Sequence, residues 1–253
     1  MTADRGPLAD AGALPAPWGS SPYLRTHHGT TPFRHVWATP EAVLLVPEGE
    51  SRGLLGLGSP GAVAALADAL PEELRANLRR LTVPRGALEL MTVPEQLLGA
   101  RSEWDWMWAG APLRDAESSG VERLEPTAAN REEVVELLSV AHPTTDTDPA
   151  DPRLLGWWGL RESGRLVAVV GALREGPAQP RHLVSLGVHP EHRGRRLAGR
   201  VLAAAVLDAL AEEVEPRGVS LALYAANERA RRVYVRHGFE LRHEFSSLRS
   251  ACP

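Results

Sequence analysis

The sequence predicts an α/β protein built on a mixed sheet, and three observations carry that expectation. Over residues 121–245, short apolar runs bounded by Gly, Pro and Ser alternate with stretches of helical periodicity in the order β-α-β-β-β-α-β-α-β. Hydrophobic residues make up 43% of the chain and charged residues 24%, the balance of a globular protein with a substantial core. The length, 253 residues, suits one large domain or two smaller ones.

In chain order, residues 1–22 are rich in Pro, Gly and Ala and read as a flexible N-terminal segment. Residues 23–118 read as a smaller α/β domain. In it "AVLLV" (42–46) is a buried strand, and residues 59–81 are helical, with Ser59 as N-cap, Pro60 in the first helical position and a break at Pro71. "EWDWMWAG" (103–110) places Trp104, Trp106 and Trp108 at period two, a strand with one buried face; such a stripe reads as core or domain interface rather than as an acceptor wall. The polar stretch 111–120 is the expected boundary, so the second domain is 119–253. There "VERLEP" is a strand, a helix follows with Thr127 as cap, and 141–152 is a Pro/Asp loop. "WWGLRE" and "RLVAVVGALRE" form a hairpin around Ser163-Gly164, and "RHLVSLGV" is the next strand. Residues 197–210 form a buried helix and "VSLALYA" a strand. "NERARRVYVRHG" is a helix closed by Gly238, and "FELRHEF" is the last strand.

Composition removes several classes of function. A net charge of −4 points to neither nucleic acid nor an anionic membrane as partner. No apolar run approaches the ~18 residues of a membrane span, and the N-terminus lacks the apolar core of a secretory signal, so the cytoplasm is the expected location. All 28 basic residues are Arg, which with abundant Ala, Gly and Pro reads as a GC-rich bacterial genome. The one cysteine, Cys252, excludes an intrachain disulfide and a multi-cysteine zinc site, and no metal is expected.

The most informative segment is "HPEHRGRRLAGRV" (189–201), between a strand and a helix. A helix start exposes amides without internal partners and carries partial positive charge. Small residues at Gly194, Ala198 and Gly199 would admit a phosphate close to the backbone, and Arg193, Arg195 and Arg196 add formal charge. The pattern suits a di- or polyphosphate, although it is neither a P-loop nor a Gly-x-Gly-x-x-Gly fingerprint. A second pattern follows the next strand: Asn227 at a helix start, Tyr234 nearly two turns on along the same face, and Gly238-Phe239 at the end.

Together "HPEHRGRRLAGRV" and "LYAANERARRVYVRHGF" resemble the GCN5-related N-acetyltransferases (GNAT), whose coenzyme A motif runs Arg/Gln-x-x-Gly-x-Gly/Ala and whose next motif runs Asn…Ala…Tyr…Gly-Phe. The resemblance covers residues ~121–245 and agrees with the element order. It implies a GNAT fold in the C-terminal half, with acetyl-CoA as co-substrate. Arg193 would open the pyrophosphate loop, with the backbone of Gly194, Arg195, Arg196, Leu197, Ala198 and Gly199 cradling the pyrophosphate. Leu186, Gly187 and Val188 would pair with the pantetheine arm, Asn227 would contact the arm, and Tyr234 would lie near the thioester sulfur. The chain departs from the pattern at Arg196, where the motif has its middle glycine.

For a base, the position on the strand before Asn227 where some members carry Glu holds Ala222. His182 stands near the start of the central strand, where one branch has a glutamate, and is the candidate base; the alternative for it is an exposed strand-end histidine. Glu132, Glu133 and Glu136 read as a solvated helix face, while His142, Asp146 and Asp148 would greet a cationic amine. The N-terminal half reads as a degenerate copy of the same fold that covers the acceptor side without binding coenzyme A, since "LLGLGSPG" (54–61) lacks phosphate-site residues. The reading is an acetyl-CoA-dependent N-acetyltransferase acting on a small amine or amino acid conjugate by direct attack in a ternary complex. The alternatives are a longer-chain acyltransferase of the glycine N-acyltransferase type (the FR47-like branch) and a non-catalytic acyl-CoA-binding module. A homodimer is the base expectation for assembly.

Overall fold

The computed structural model describes residues 8, 10–49, 52–113, 117–145 and 147–250. The elements are α1 (Pro22–His28), β1 (Phe33–Ala38), β2 (Ala42–Pro47), β3 (Gly53–Gly58), α2 (Pro60–Asp68), α3 (Glu72–Asn77), β4 (Arg80–Pro84), β5 (Ala100–Ala109), β6 (Val121–Leu124), α4 (Ala128–Ala141), β7 (Leu154–Glu162), β8 (Arg165–Leu173), β9 (Arg181–Val188), α5 (Leu197–Leu210), β10 (Val219–Tyr224), α6 (Glu228–His237) and β11 (Glu240–Arg249). They fall into two compact units. One runs to Trp106 and takes in Leu223–Asn227 and the residues from Leu241 on; the other comprises Met107–Ala222 and Glu228–Glu240. This division differs from the linear boundary expected at 118/119, because the C-terminal strand returns to the first unit.

In the first unit the strand order is β1-β2-β3-β4-β11-β5. β2 is buried at every position, as a strand covered on both faces must be. β11 pairs antiparallel with β4, Phe245 opposite Pro84 and Leu248 opposite Leu81. Residues 80–81, expected at the end of a helix, therefore belong to a strand: Leu81 and Val83 alternate inward against β11. Pro71 does break the helical stretch, and Ser59 caps α2 by accepting from the Ala62 amide. Residues 11–20, expected to be flexible, form two 3-10 turns at Ala11–Ala13 and Trp18–Ser20, the first capped by the Asp10 carboxylate. Trp104 and Trp106 pack with Tyr23, His243 and Phe245, so they are core. β5 has two buried faces from Asp105 onward, not one: Asp105 is fully buried and accepts from Arg85 at 2.7 Å.

In the second unit the order is β10-β9-β8-β7-β6. β7 and β8 form the expected hairpin, with Ser163 (φ 50) and Gly164 (φ 81) both in the left-handed region that a tight two-residue turn needs. Successive β7 residues point to opposite faces. Trp157 joins Val134, Leu137 and Leu138 of α4, while Trp158 lies 5.3 Å from the Arg181 guanidinium, which pairs with Asp208 and Glu212 of α5. α4 and α5 thus cover opposite faces. Gly171 makes room for Trp157, whose ring would stand 2.9 Å from an added Cβ.

The two units share a topology. β2 pairs antiparallel with β3, which crosses through α2 to parallel β4; β8 pairs antiparallel with β9, which crosses through α5 to parallel β10. Both parallel registers are three pairs long, Gly53↔Arg80 to Leu55↔Thr82 and Arg181↔Val219 to Leu183↔Leu221. They differ where the helix begins. α2 follows β3 after the single residue Ser59, whose side chain takes up a first-turn amide; α5 follows an eight-residue loop and has no side-chain cap. Replacing Ser59 with Ala is expected to cost ~1 kcal/mol of stability, read from the urea unfolding midpoint.

Candidate functional site

β9 is where the second unit departs from a regular sheet. Its register with β8 runs Val169↔Gly187 and then Gly171↔Val184, so Ser185 and Leu186 stand opposite Val170 as a bulge. Ser185 takes φ 53, and its hydroxyl shares a 2.6 Å hydrogen bond with Thr145 in the loop after α4. The bulge resets which way side chains face. Arg181 meets α5, whereas Gly187, six residues on, lies against α4, with Leu138 2.9 Å from where a Cβ would be. The absence of a side chain at Gly187 lets α4 lie directly on the strand.

Past Leu183, β9 runs beyond its paired register with β10. The His189 amide donates to the Val167 carbonyl at 2.9 Å, so Val188, opposite Ala168, turns both its N–H and its C=O away from β8. The Val188 carbonyl accepts from Arg193 Nε at 3.2 Å, and its N–H lies along the same open edge.

The loop from 189 to 196 begins with a 3-10 turn, Pro190–His192, in which His189 Nδ1 accepts from the Glu191 amide. The three arginines part ways. Arg193, though exposed, folds back onto the chain, and its Nη2 donates at 3.2 Å to the carbonyl of Ala141, the last residue of α4, where the helix dipole is negative. Arg195 donates to Glu162 at 2.6 Å. Arg196 is exposed, and its guanidinium has no partner among the described residues. Its backbone is left-handed, φ 61 and ψ 15, two residues after Gly194 at φ 81. A glycine would adopt that conformation at no steric cost, which gives the motif glycine its physical reason. Arg196 keeps the turn while adding a charge.

The helix then starts without a side-chain cap, leaving the first-turn amides of Leu197, Ala198 and Gly199 for an external acceptor. Leu197 is buried and Ala198 half-buried. Gly199 also serves helix packing: the His237 ring of α6 fills the space that a Cβ there would take. His189, Glu191 and His192 also bring three ligand atoms within 4.8 Å of one another, with Arg195 Nη1 3.1 Å from His192 Nδ1.

Tyr234 is the one buried residue of α6, with its ring 5.8 Å from that of Phe239. Its hydroxyl makes no hydrogen bond among the described residues, and burial pushes its pKa up to about 12, so it carries its proton at neutral pH. Asn227 stands exposed directly before α6. His182 is not the exposed strand-end histidine of the alternative reading. It lies within the paired register opposite Ser220, Nδ1 to Oγ 2.8 Å, and desolvation lowers its pKa to about 4. Among the acidic candidates, Glu133 is engaged by Arg161, while Glu132 and Glu136 are exposed. Asp148 accepts from the Ala150 amide and the His142 amide closes α4. Asp146 and Cys252 lie outside the described residues. Sequence reasoning missed Ser185 and Glu162: a bulge has no local signature here, and nothing near residue 162 announces a partner at 195.

Two outcomes are expected. Arg196→Gly should stabilise the fold by ~1 kcal/mol, since it removes a left-handed non-glycine residue; a urea titration reads this. His182 is neutral in the folded state down to about pH 4, whereas the unfolded chain takes up the proton near 6.5. Its contribution is therefore complete above pH 6.5 and lost as pH falls toward 4. Urea midpoints measured over that window should fall more steeply for the wild type than for His182→Gln.

Residues 126–239 match the family model for the acetyltransferase (GNAT) family. No curated protein matches the chain. Among solved structures, the chain is similar to a GNAT-family protein from Novosphingobium aromaticivorans, at TM-score 0.52 and 24% identity, over 83% of this chain and 88% of that one. It is also similar to a GNAT-family acetyltransferase from Colwellia psychrerythraea, at TM-score 0.54 and 11% identity, over 85% and 84%. At these identities the structures speak to the fold alone. The family model lies across α4, β9, its loop, α5 and α6, so the match takes in the whole strand–loop–helix segment described above.

Proposed function

We propose that the chain is an acetyl-CoA-dependent N-acetyltransferase that acylates the amine of a small molecule or amino acid conjugate by direct attack in a ternary complex. The observation that carries the reading is the uncapped start of α5 behind a left-handed Arg196, beside a β9 edge whose Val188 N–H and C=O face away from β8. These groups fit a pyrophosphate followed by an amide-bearing arm: backbone donors for the anion, and open strand backbone for the amides. The backbone from Gly194 to Gly199 would hold the pyrophosphate, with the Arg196 side chain free to fold over it. Leu186, Gly187 and Val188 would flank the pantetheine arm, with Asn227 as a further contact.

In the reaction the neutral amine attacks the thioester carbonyl, a C–N bond forms, and the C–S bond breaks. The Val188 N–H would donate to the carbonyl oxygen as charge develops there. Tyr234, buried and protonated, would give its proton to the departing sulfur. The amine proton leaves to water or to His182. With a pKa of about 4, that imidazole is unprotonated but weakly basic at neutral pH, which makes water the better first acceptor.

Isothermal calorimetry with acetyl-CoA, followed by a free-thiol assay over an amine library, tests the proposal. One mole of acetyl-CoA should bind per chain, because Ser59 occupies in the first unit the amide that α5 leaves open. Failure of the wild type to bind would end the cofactor reading. Tyr234→Phe should lower kcat ~10²–10⁴-fold with little change in acetyl-CoA affinity, as loss of a well-placed general acid does. Turnover unchanged by that substitution would remove the role. Comparing rates with acetyl-CoA and longer acyl-CoA separates acetyl transfer from longer-chain acyl transfer. Binding without turnover on any amine would favour a non-catalytic module.

A further inference from the structure

Glu162 ends β7 and is fixed by the tight turn at Ser163-Gly164, so its backbone has little freedom. One of its carboxylate oxygens, Oε2, accepts from Arg195 Nη1 at 2.6 Å and is 2.9 Å from His192 Nδ1. Both partners belong to the loop that precedes α5. Arg195, and then His192, hold the Glu162 carboxyl below its ordinary range, so it stays ionised at neutral pH. Of the three arginines in this loop, Arg193 is spent on the carbonyls of Val188 and Ala141, Arg196 is free, and Arg195 alone is neutralised by an acid. An anion site with a carboxylate drawn onto its loop is weaker than its count of arginines suggests.

We propose that Glu162 is an electrostatic latch on the phosphate loop: it holds Arg195 off the bound cofactor's phosphates, and breaking the latch releases that guanidinium to the anion. The proposal rests on the coenzyme A reading of the site. Glu162 is a positioning residue that touches neither the thioester nor the amine. The pair is exposed, with side-chain accessibilities of 54% for Arg195 and 27% for Glu162, so the exchange of one anionic partner for another is easy and salt-sensitive.

The test is calorimetric titration of coenzyme A into wild type, Glu162→Gln, Arg195→Ala and the double variant, at low and at physiological salt. Glu162→Gln should lower Kd by about two- to fivefold, the scale of an exposed ion pair, with the gain shrinking as salt rises. Arg195→Ala alone should move Kd less than about twofold, because that guanidinium is already occupied. In the double variant the gain should vanish. An unchanged or weaker Kd for Glu162→Gln overturns the latch, as does a large loss for Arg195→Ala alone. A gain that persists without Arg195 overturns it too, since it would then be a plain charge effect. No binding by the wild type overturns the cofactor reading itself, and the latch with it. Urea midpoints confirm that each variant is folded, and kcat for acetyl transfer should be unchanged in Glu162→Gln.

Discussion

The end of β9 is a stretch of strand whose backbone is only half paired, and the arrangement of the loop and helix that follow it depends on this. β9 and β10 stay together for three residue pairs and no further, while the bulge at Ser185 bends β9 and resets its facing. A strand inside a sheet normally spends its N–H and C=O groups on two neighbours; Val188 spends neither on β8. Unpaired backbone groups are costly when buried, so a fold that keeps them must offer them to water, to a side chain or to a ligand. Here Arg193 takes the Val188 carbonyl, and the N–H remains.

The same economy governs the helix that follows. α5 begins without a cap because its N-cap residue is Arg196, which has no side-chain acceptor to offer its own helix. α2 begins with Ser59, which does. Both units carry the same crossover of antiparallel and parallel strands, so the contrast isolates the loop. With eight residues between strand and helix the first-turn amides of α5 have no side-chain cap, whereas the single residue Ser59 brings a hydroxyl to the first turn of α2. Charge around the loop is tempered rather than maximal. Arg193 binds loop to strand and helix, Arg195 answers to Glu162, and only Arg196 is uncommitted.

Burial sets the proton states of the two titratable candidates in opposite senses. It raises Tyr234 and lowers His182, so both are neutral at physiological pH. A neutral phenol is ready to donate. A neutral imidazole with so low a pKa accepts poorly, and its hydrogen bond to Ser220 places it in the closed part of the strand pair, short of the open edge.

The order of elements from β6 to β11 was legible because each depends on local patterns: apolar alternation, the Ser163-Gly164 turn, the cap at Thr127. The strand–loop–helix segment and the Asn227…Tyr234…Gly238-Phe239 spacing were legible for the same reason, being short stretches whose residues act on their own backbone. β3 was hidden by its glycines and β4 by the helix before it, since neither has meaning without a partner strand. Only tertiary structure decided that β11 lies against β4, that β9 bulges at Ser185, that the space beside Gly199 goes to the His237 ring, and which acceptors Arg193 and Arg195 hold. Those outcomes depend on residues tens of positions apart, and the free energy that selects them is earned in packing and pairing that no local pattern contains.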